Sequence, residues 1–351
     1  MSLNIDTSAL GVPVEVGQIP KELKKLWEQS EGATTRASLI NFAVYFRGAD
    51  AVKSNTEFII EFTRQHACRA LLICHEPESS EDKVSAWINA HCHLTRAGAK
   101  QICCEQISFL FEGKTAGRIP NTLFANLDSD LPLYLWWQGE FPDPIDETLW
   151  SRVDRLIYDS QTWPNPKEQF RRLTESLDRA KCGLILGDLN WARTLHLRQA
   201  LAQMFDHEEN LAILNGLRSV KITHAPENRS TALLLASWLA AQLRLGDGKV
   251  DGNKLSFSHP DGHRVEVGLS IEAGRSISVC EMCDGANTVR VYRDPQGDFF
   301  RVEVRLADGN VYQHLLTAGS NSTTDLLLWE IGGGSRHKIY NRALEIIDTL
   351  L

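Results

Sequence analysis

One stretch constrains this chain more than any other: residues 131–160, LPLYLWWQGEFPDPIDETLWSRVDRLIYDS. It opens on Leu133-Tyr134-Leu135-Trp136-Trp137, an apolar, aromatic-rich run bounded by Pro132 and Gly139. That is the length and composition of a buried strand. Pro142 and Pro144 then exclude regular structure, because proline lacks the N–H and fixes its own φ. Residues 145–153 read as a helical spacer, and Leu156-Ile157-Tyr158 as a second strand. Strand, helix and strand in this space make a βαβ unit, whose crossover lays its two strands parallel. Trp136 and Trp137 carry two readings. They fill a core on both faces of a central strand, or they wall a ligand pocket at a sheet edge.

A chain of 351 residues has room for a large core and for two domains. Apolar residues at 43% and charged ones at 23% are ordinary for a soluble globular protein. A net charge of -8, with no Lys/Arg run, argues against a nucleic-acid partner. No apolar stretch approaches the ~20 residues that span a bilayer, so no membrane association is expected. The first twenty residues lack the basic-then-apolar layout of a signal peptide, so the expected location is the cytoplasm. Eight cysteines, at 68, 74, 92, 103, 104, 182, 280 and 283, are scattered, and the expectation is reduced thiols rather than a disulfide framework.

Taken in order, residues 1–20 read as an extended arm and 21–29 as a short charged helix. Strands are predicted at 39–46, 70–74 and 102–111, and a helix at 57–66. Residues 84–94 are assigned to a helix carrying His91-Cys92-His93. Ligands at i and i+2 do not share a helix face, so no metal site is predicted there. Cys103 and Cys104, adjacent on a strand, point to opposite faces, which makes a bond between them improbable. Beyond the central unit come a helix at 166–181, a strand at 183–186, a helix at 193–205 and a strand at 217–223. An Ala- and Leu-rich helix at 231–245 is closed by Gly246.

From residue 254 short strands alternate with turn signals at Pro260-Asp261-Gly262, Glu272-Ala273-Gly274, Pro295-Gln296-Gly297 and Ala307-Asp308-Gly309. That is an antiparallel meander. A final helix is predicted at 336–351. The fold class is therefore α/β: a mostly parallel sheet with flanking helices, followed by an antiparallel β-meander (α+β) region and a C-terminal helix. The predicted divisions are 1–30 (arm and short helix), 31–245 (α/β, with a sub-boundary near 161–166) and 246–351 (antiparallel β plus helix).

Signals of chemistry are sparse. No Walker A sequence, no strand-borne GxGxxG, no GxSxG elbow and no HExxH occurs, and no cofactor is predicted. Gly332-Gly333-Gly334 before Ser335-Arg336 reads as a flexible turn before the last helix, with an anion-binding helix N-terminus as the alternative. Asp159 and Asp188 follow successive strands, at the carboxyl edge where α/β folds bind ligands, although aspartate there also serves as a plain N-cap. Cys280-Glu281-Met282-Cys283 is a C-x-x-C on a strand, a candidate redox pair.

Several segments, in order, resemble the glucose-6-phosphate dehydrogenase assembly protein (OpcA) family. They are TTRASLINFAV (34–44), HACRALLI (66–73), CCEQISF (103–109), DLPLYLWWQGEFPD (130–143), RVDRLIYDS (152–160), GDLNWARTLHLRQALAQMFD (187–206) and SWLAAQLRLG (237–246). Departures are Ala67, where the family usually has proline, and Leu195-His196-Leu197, where it often has Thr-Pro-Trp. The resemblance implies a non-catalytic effector that binds glucose-6-phosphate dehydrogenase, promotes its active oligomer and supports NADPH production in the oxidative pentose phosphate pathway, under possible redox tuning through cysteines. The alternative is an α/β enzyme or sugar-phosphate-binding domain with its site at the sheet's carboxyl edge. Candidate partner or pocket residues are Trp136, Trp137, Arg155, Asp159, Asp188, Trp191 and Arg193; candidate redox residues are Cys280 and Cys283.

Overall fold

A computed structural model describes residues 10–28, 34–94, 101–179, 183–294, 297–333 and 338–351. The chain divides into two units by its contacts, one of residues 1–158 and 176–187, the other of residues 159–175 and 188–351.

The first unit is built on a sheet of strands β1 (Val12–Val14), β2 (Thr34–Arg36), β3 (Ile40–Arg47), β4 (Cys68–Glu76), β5 (Val84–Leu94), β6 (Gln101–Glu112), β7 (Leu133–Trp137), β8 (Arg155–Tyr158) and β9 (Ile185–Asp188). Their order is β1-β5-β6-β4-β3-β7-β8-β9, with β2 beside β6. From β6 to β8 the neighbours run parallel; β5 joins β6, and β1 joins β5, antiparallel. The central strands are continuous apolar runs because both faces are covered. In β3 every residue but Arg47 is buried. Helices α1 (Ile19–Glu28), α2 (Val52–Gln65), α3 (Ile119–Ala125) and α4 (Glu147–Trp150) belong to this unit. The central βαβ is present, with Leu135 opposite Leu156, but its helix is only α4.

Three expectations change here. Residues 84–94 form β5, not a helix, because eleven of them pair one for one with β6, from Val84 opposite Phe111 to Leu94 opposite Gln101. Their burial alternates poorly, so periodicity alone could not decide the element. The N-terminal arm contributes β1, which pairs Val12 with Ile88. The cysteines are not all reduced. Cys92 and Cys103 lie opposite each other in the β5–β6 register and are joined by a disulfide, their Cα atoms 4.0 Å apart. Cys68, Cys74, Cys104, Cys280 and Cys283 are free, and Cys182 lies outside the described residues.

The second unit holds a sheet of β10 (Ser219–His224), β11 (Gly246–Asp251), β12 (Lys254–Ser258), β13 (Arg264–Ile271), β14 (Ile277–Cys283), β15 (Thr288–Arg293), β16 (Phe299–Arg305) and β17 (Val311–Thr317). Its order is β11-β12-β13-β10-β14-β15-β16-β17. Of the hairpins expected from the turn signals, β12–β13, β15–β16 and β16–β17 pair, and Gly262 and Gly309 take the positive φ of +89° that their turns need, but Glu272-Ala273-Gly274 closes none, because β13 and β14 are not neighbours. One strand interrupts the meander: β10, from upstream in the chain, inserts between β13 and β14, parallel to the first and antiparallel to the second.

The helices α5 (Pro166–Arg179), α6 (Leu189–Arg193), α7 (Leu195–Met204), α8 (Glu208–Asn215), α9 (Arg229–Leu243), α10 (Thr323–Gly332) and α11 (Lys338–Leu350) complete the chain. The helix expected at 193–205 is α7, which Thr194 separates from a short preceding helix, α6. Buried residues run all round α9, without a break from Ser230 to Ala240. Its left-handed cap is Arg244, φ 54°, while Gly246 already belongs to β11. The last helix is preceded by α10, which the single predicted C-terminal helix omitted; Ser322 caps it by accepting from Asp325 N. Pro295, Gln296, Gly334, Ser335 and Arg336 lie outside the described residues. No described helix is long and apolar enough to cross a membrane.

Candidate functional site

Four of the predicted residues, Asp159, Asp188, Trp191 and Arg193, come together in the second unit. Asp188 ends β9 and caps α6, accepting from Asn190 N at 2.9 Å. It also accepts from Ser160 N at 3.0 Å, Ser160 Oγ at 2.7 Å and Tyr340 Oη at 3.1 Å. Burial pushes its carboxyl up to about 7, and the charge of Asp159 adds to this; the donors from Ser160 and Asn190 pull the other way. Asn190 extends the network, donating to Ser160 Oγ at 3.0 Å and accepting from Thr231 Oγ1 at 2.6 Å. A fully buried carboxyl with this many donors is a structural keystone, since each unpaired buried donor would carry its full desolvation cost.

Asp159 caps the next turn, accepting from Gln161 N, and takes both arms of the Arg193 guanidinium at 2.6 Å each. The plain N-cap reading thus describes both aspartates, and Asp159 adds a bidentate ion pair. Trp191 is buried, with the Tyr340 ring 5.1 Å away and the Arg198 guanidinium 3.7 Å over its face. Burial lowers Arg198 to about 9.

Arg193 also lines a cleft of about 640 Å³. The cleft lies where β10, β15 and β17 end and β14 and β16 begin, and its wall includes Arg275, Arg293, Asp298, Ser276 and Asn228. Gly319 belongs to the same wall. It sits at φ +65°, and a Cβ there would come within 2.1 Å of the His196 ring, so the approach requires glycine. Sequence reading missed these residues because they come from separate hairpin turns that only the sheet register brings together. The Arg and Asp at turn positions were the one available signal.

Trp136, Trp137 and Arg155 lie in the first unit and do not join this cleft. Trp136 packs edge-on to Phe58 with ring centroids 5.0 Å apart. Trp137 stacks on Tyr45 at 3.7 Å and donates Nε1–H to Glu140 O at 3.1 Å. Both tryptophans and Arg155 are buried, the Arg155 guanidinium 5.4 Å from the Tyr134 ring. In the same unit Glu105 is buried to 1% exposure and held by Arg69 at 2.8 Å, Arg36 at 3.0 Å and the Trp27 indole.

Cys280 and Cys283 stand three positions apart on β14, so their side chains face opposite sides of the strand. Both are free; Cys280 is buried and its thiol is pushed up to about 12. This is not the geometry of a disulfide pair, nor of an activated thiolate. His91 bonds Gln106 Oε1 at 2.7 Å and His93 bonds Thr63 Oγ1 at 3.1 Å. Among the described residues no group of three or more His, Cys, Asp or Glu is placed to hold a metal ion.

Comparison with known proteins gives two matches along the chain to one family. Residues 60–175 match the glucose-6-phosphate dehydrogenase subunit N-terminal domain, and residues 185–344 the corresponding C-terminal domain. An OpcA protein of Nostoc punctiforme, provisionally named for the OxPP cycle, is 29% identical over 222 residues. The match covers 60% of this chain and 46% of that protein, so the chain spans about half the length of the relative. Among solved structures, an aldose-aldose oxidoreductase from Caulobacter crescentus aligns at TM-score 0.44 and 10% identity, over 88% of this chain and 96% of that one. An oxidoreductase from Bacillus cereus aligns at 0.46 and 9%, over 88% and 96%. Likeness this loose bears on neither fold nor activity. The two domain matches are of another order: this chain belongs to the OpcA family of glucose-6-phosphate dehydrogenase assembly proteins.

Proposed function

We propose that the protein is a non-catalytic, cytoplasmic assembly factor that binds glucose-6-phosphate dehydrogenase and promotes its active oligomeric form, thereby supporting NADPH production in the oxidative pentose phosphate pathway. The observation that carries this reading is membership of the family along both halves of the chain. The geometry of the acidic cluster supports it. Asp188 and Asp159, the acids best placed for catalysis at a sheet's carboxyl edge, are engaged by Ser160, Asn190, Tyr340 and Arg193.

An effector of this kind works by binding one state of its partner better than another. A preference of about 2.7 kcal/mol changes the ratio of states about a hundredfold. The test is an assay of the dehydrogenase from the same organism, with and without this protein, run beside size-exclusion chromatography of the mixture. Co-elution together with a raised rate or a lowered KM is the expected result. Separate elution and an unchanged rate at micromolar concentrations of both proteins would overturn the reading.

A further inference from the structure

The cleft at the sheet edge of the second unit sets two guanidiniums on one carboxylate. Arg275 Nη1 and Arg293 Nη2 both reach a single oxygen, Asp298 Oδ1, at 3.1 and 3.3 Å. Two guanidiniums on one carboxylate leave one positive charge uncompensated within that trio. Arg193, on the same wall, is by contrast matched by Asp159. Burial lowers the pKa of Arg293, and the neighbouring Arg275 charge adds to this against the pull of Asp298. The Arg293 Nε–H is moreover buried with no hydrogen-bond partner among the described residues, which buried guanidinium groups rarely tolerate. Asp298 holds its place weakly: its side chain is 77% exposed, so solvent screens the pair and a stronger anion competes with it.

The remaining wall is polar and carries one further acid, Glu227. Asn228, Ser276, Thr317 and Asn321 contribute amides and hydroxyls, groups that both donate and accept. Among the described residues the wall has no aromatic side chain, the usual lining of a site for a flat hydrophobic ligand. At about 640 Å³ the cleft exceeds what an inorganic ion needs and falls within the range of small-molecule sites.

From the paired guanidiniums and this polar wall we propose that the cleft binds a phosphorylated sugar, its phosphate on Arg275 and Arg293 and its hydroxyls on the amides and hydroxyls of the opposite wall. A phosphomonoester brings more charge and more acceptor oxygens than one carboxylate, and arginine matches its geometry with two parallel donors. The site belongs to this chain alone and requires no dehydrogenase, so it stands or falls separately from the partner reading.

The experiment is calorimetric titration of the full chain with glucose 6-phosphate, ribose 5-phosphate, inorganic phosphate and glucose. Both sugar phosphates, or one of them, are expected to bind at least about tenfold more tightly than phosphate, and glucose not at all. Arg275 is half exposed, so Arg275→Gln should unfold at the wild-type temperature while weakening sugar-phosphate binding about tenfold or more. Asp298→Asn removes the resident acid and should tighten binding, a gain that misfolding does not produce. No heat from either sugar phosphate up to about 10 mM would overturn the proposal. So would equal affinity for inorganic phosphate, or wild-type binding by Arg275→Gln.

Discussion

At the scale of single residues, Asp188 decides most. Four donors from Ser160, Asn190 and Tyr340 converge on its two oxygens in a fully buried site. Truncation to alanine strands all of them, and at roughly 1–3 kcal/mol for each unsatisfied buried group the loss should reach about 3 kcal/mol or more. Asp188→Asn keeps one acceptor oxygen, and the Ser160 and Tyr340 hydroxyls turn to accept from its amide, so it should lose far less. Urea denaturation of the two variants checks this, and equal losses would refute it. The pH dependence follows from the carboxyl's rise from 3.8 to about 7 on folding. Between those values the native state keeps a proton that the unfolded chain releases, so this group's contribution falls as pH rises and is flat above about 7. Wild type should therefore lose up to about 1.4 kcal/mol per pH unit relative to Asp188→Asn across that window. A constant difference between the two would show that Asp188 is ionised throughout. The sequence placed Asp159 and Asp188 beside each other at strand ends, because an aspartate after an apolar run is a local signal. Tyr340 was not legible, lying 152 positions away on a helix with no mark of its own.

At the scale of elements, β5 and β6 show where local reading stops. Residues 102–111 alternate clearly and were legible as a strand; residues 84–94 do not, and only their pairing with β6 makes them one. The same pairing sets Cys92 opposite Cys103, eleven positions away in sequence. Closing a loop of that length removes unfolded-state entropy worth about 2–3 kcal/mol on the chain-entropy model. Cys92→Ser should lower stability by up to that amount. Reductant should destabilise wild type and leave Cys92→Ser unchanged, as followed by urea denaturation with and without dithiothreitol. Sensitivity of the variant to reductant would trace the effect to another group.

At the scale of the whole molecule, the two sheets differ in kind, one mostly parallel and the other mostly antiparallel, and the second takes in β10 from upstream of the switch to hairpins near residue 246. The net charge of -8 belongs to this scale as well. Under the proposed function, association with the dehydrogenase should slow as salt is added, through screening of an acidic surface against a basic patch. Stopped-flow measurement at about 50 and 500 mM salt, either side of the ~10 Å screening length at 0.1 M, reads it directly. A salt-independent on-rate would assign the interface to apolar contact instead.

By itself the sequence determined the apolar runs that become central strands, the glycine turns of the meander, the βαβ at its centre and the family resemblance. All of these are written in neighbouring residues, where side-chain period and backbone preference act. The tertiary structure alone decided that β10 inserts into the meander, that Cys92 meets Cys103, that Tyr340 reaches Asp188 and that Arg275 and Arg293 share Asp298. Each joins residues through strand register or helix packing. Those contacts form only when distant segments are brought together by burial of the core, and no local pattern records which segments will meet.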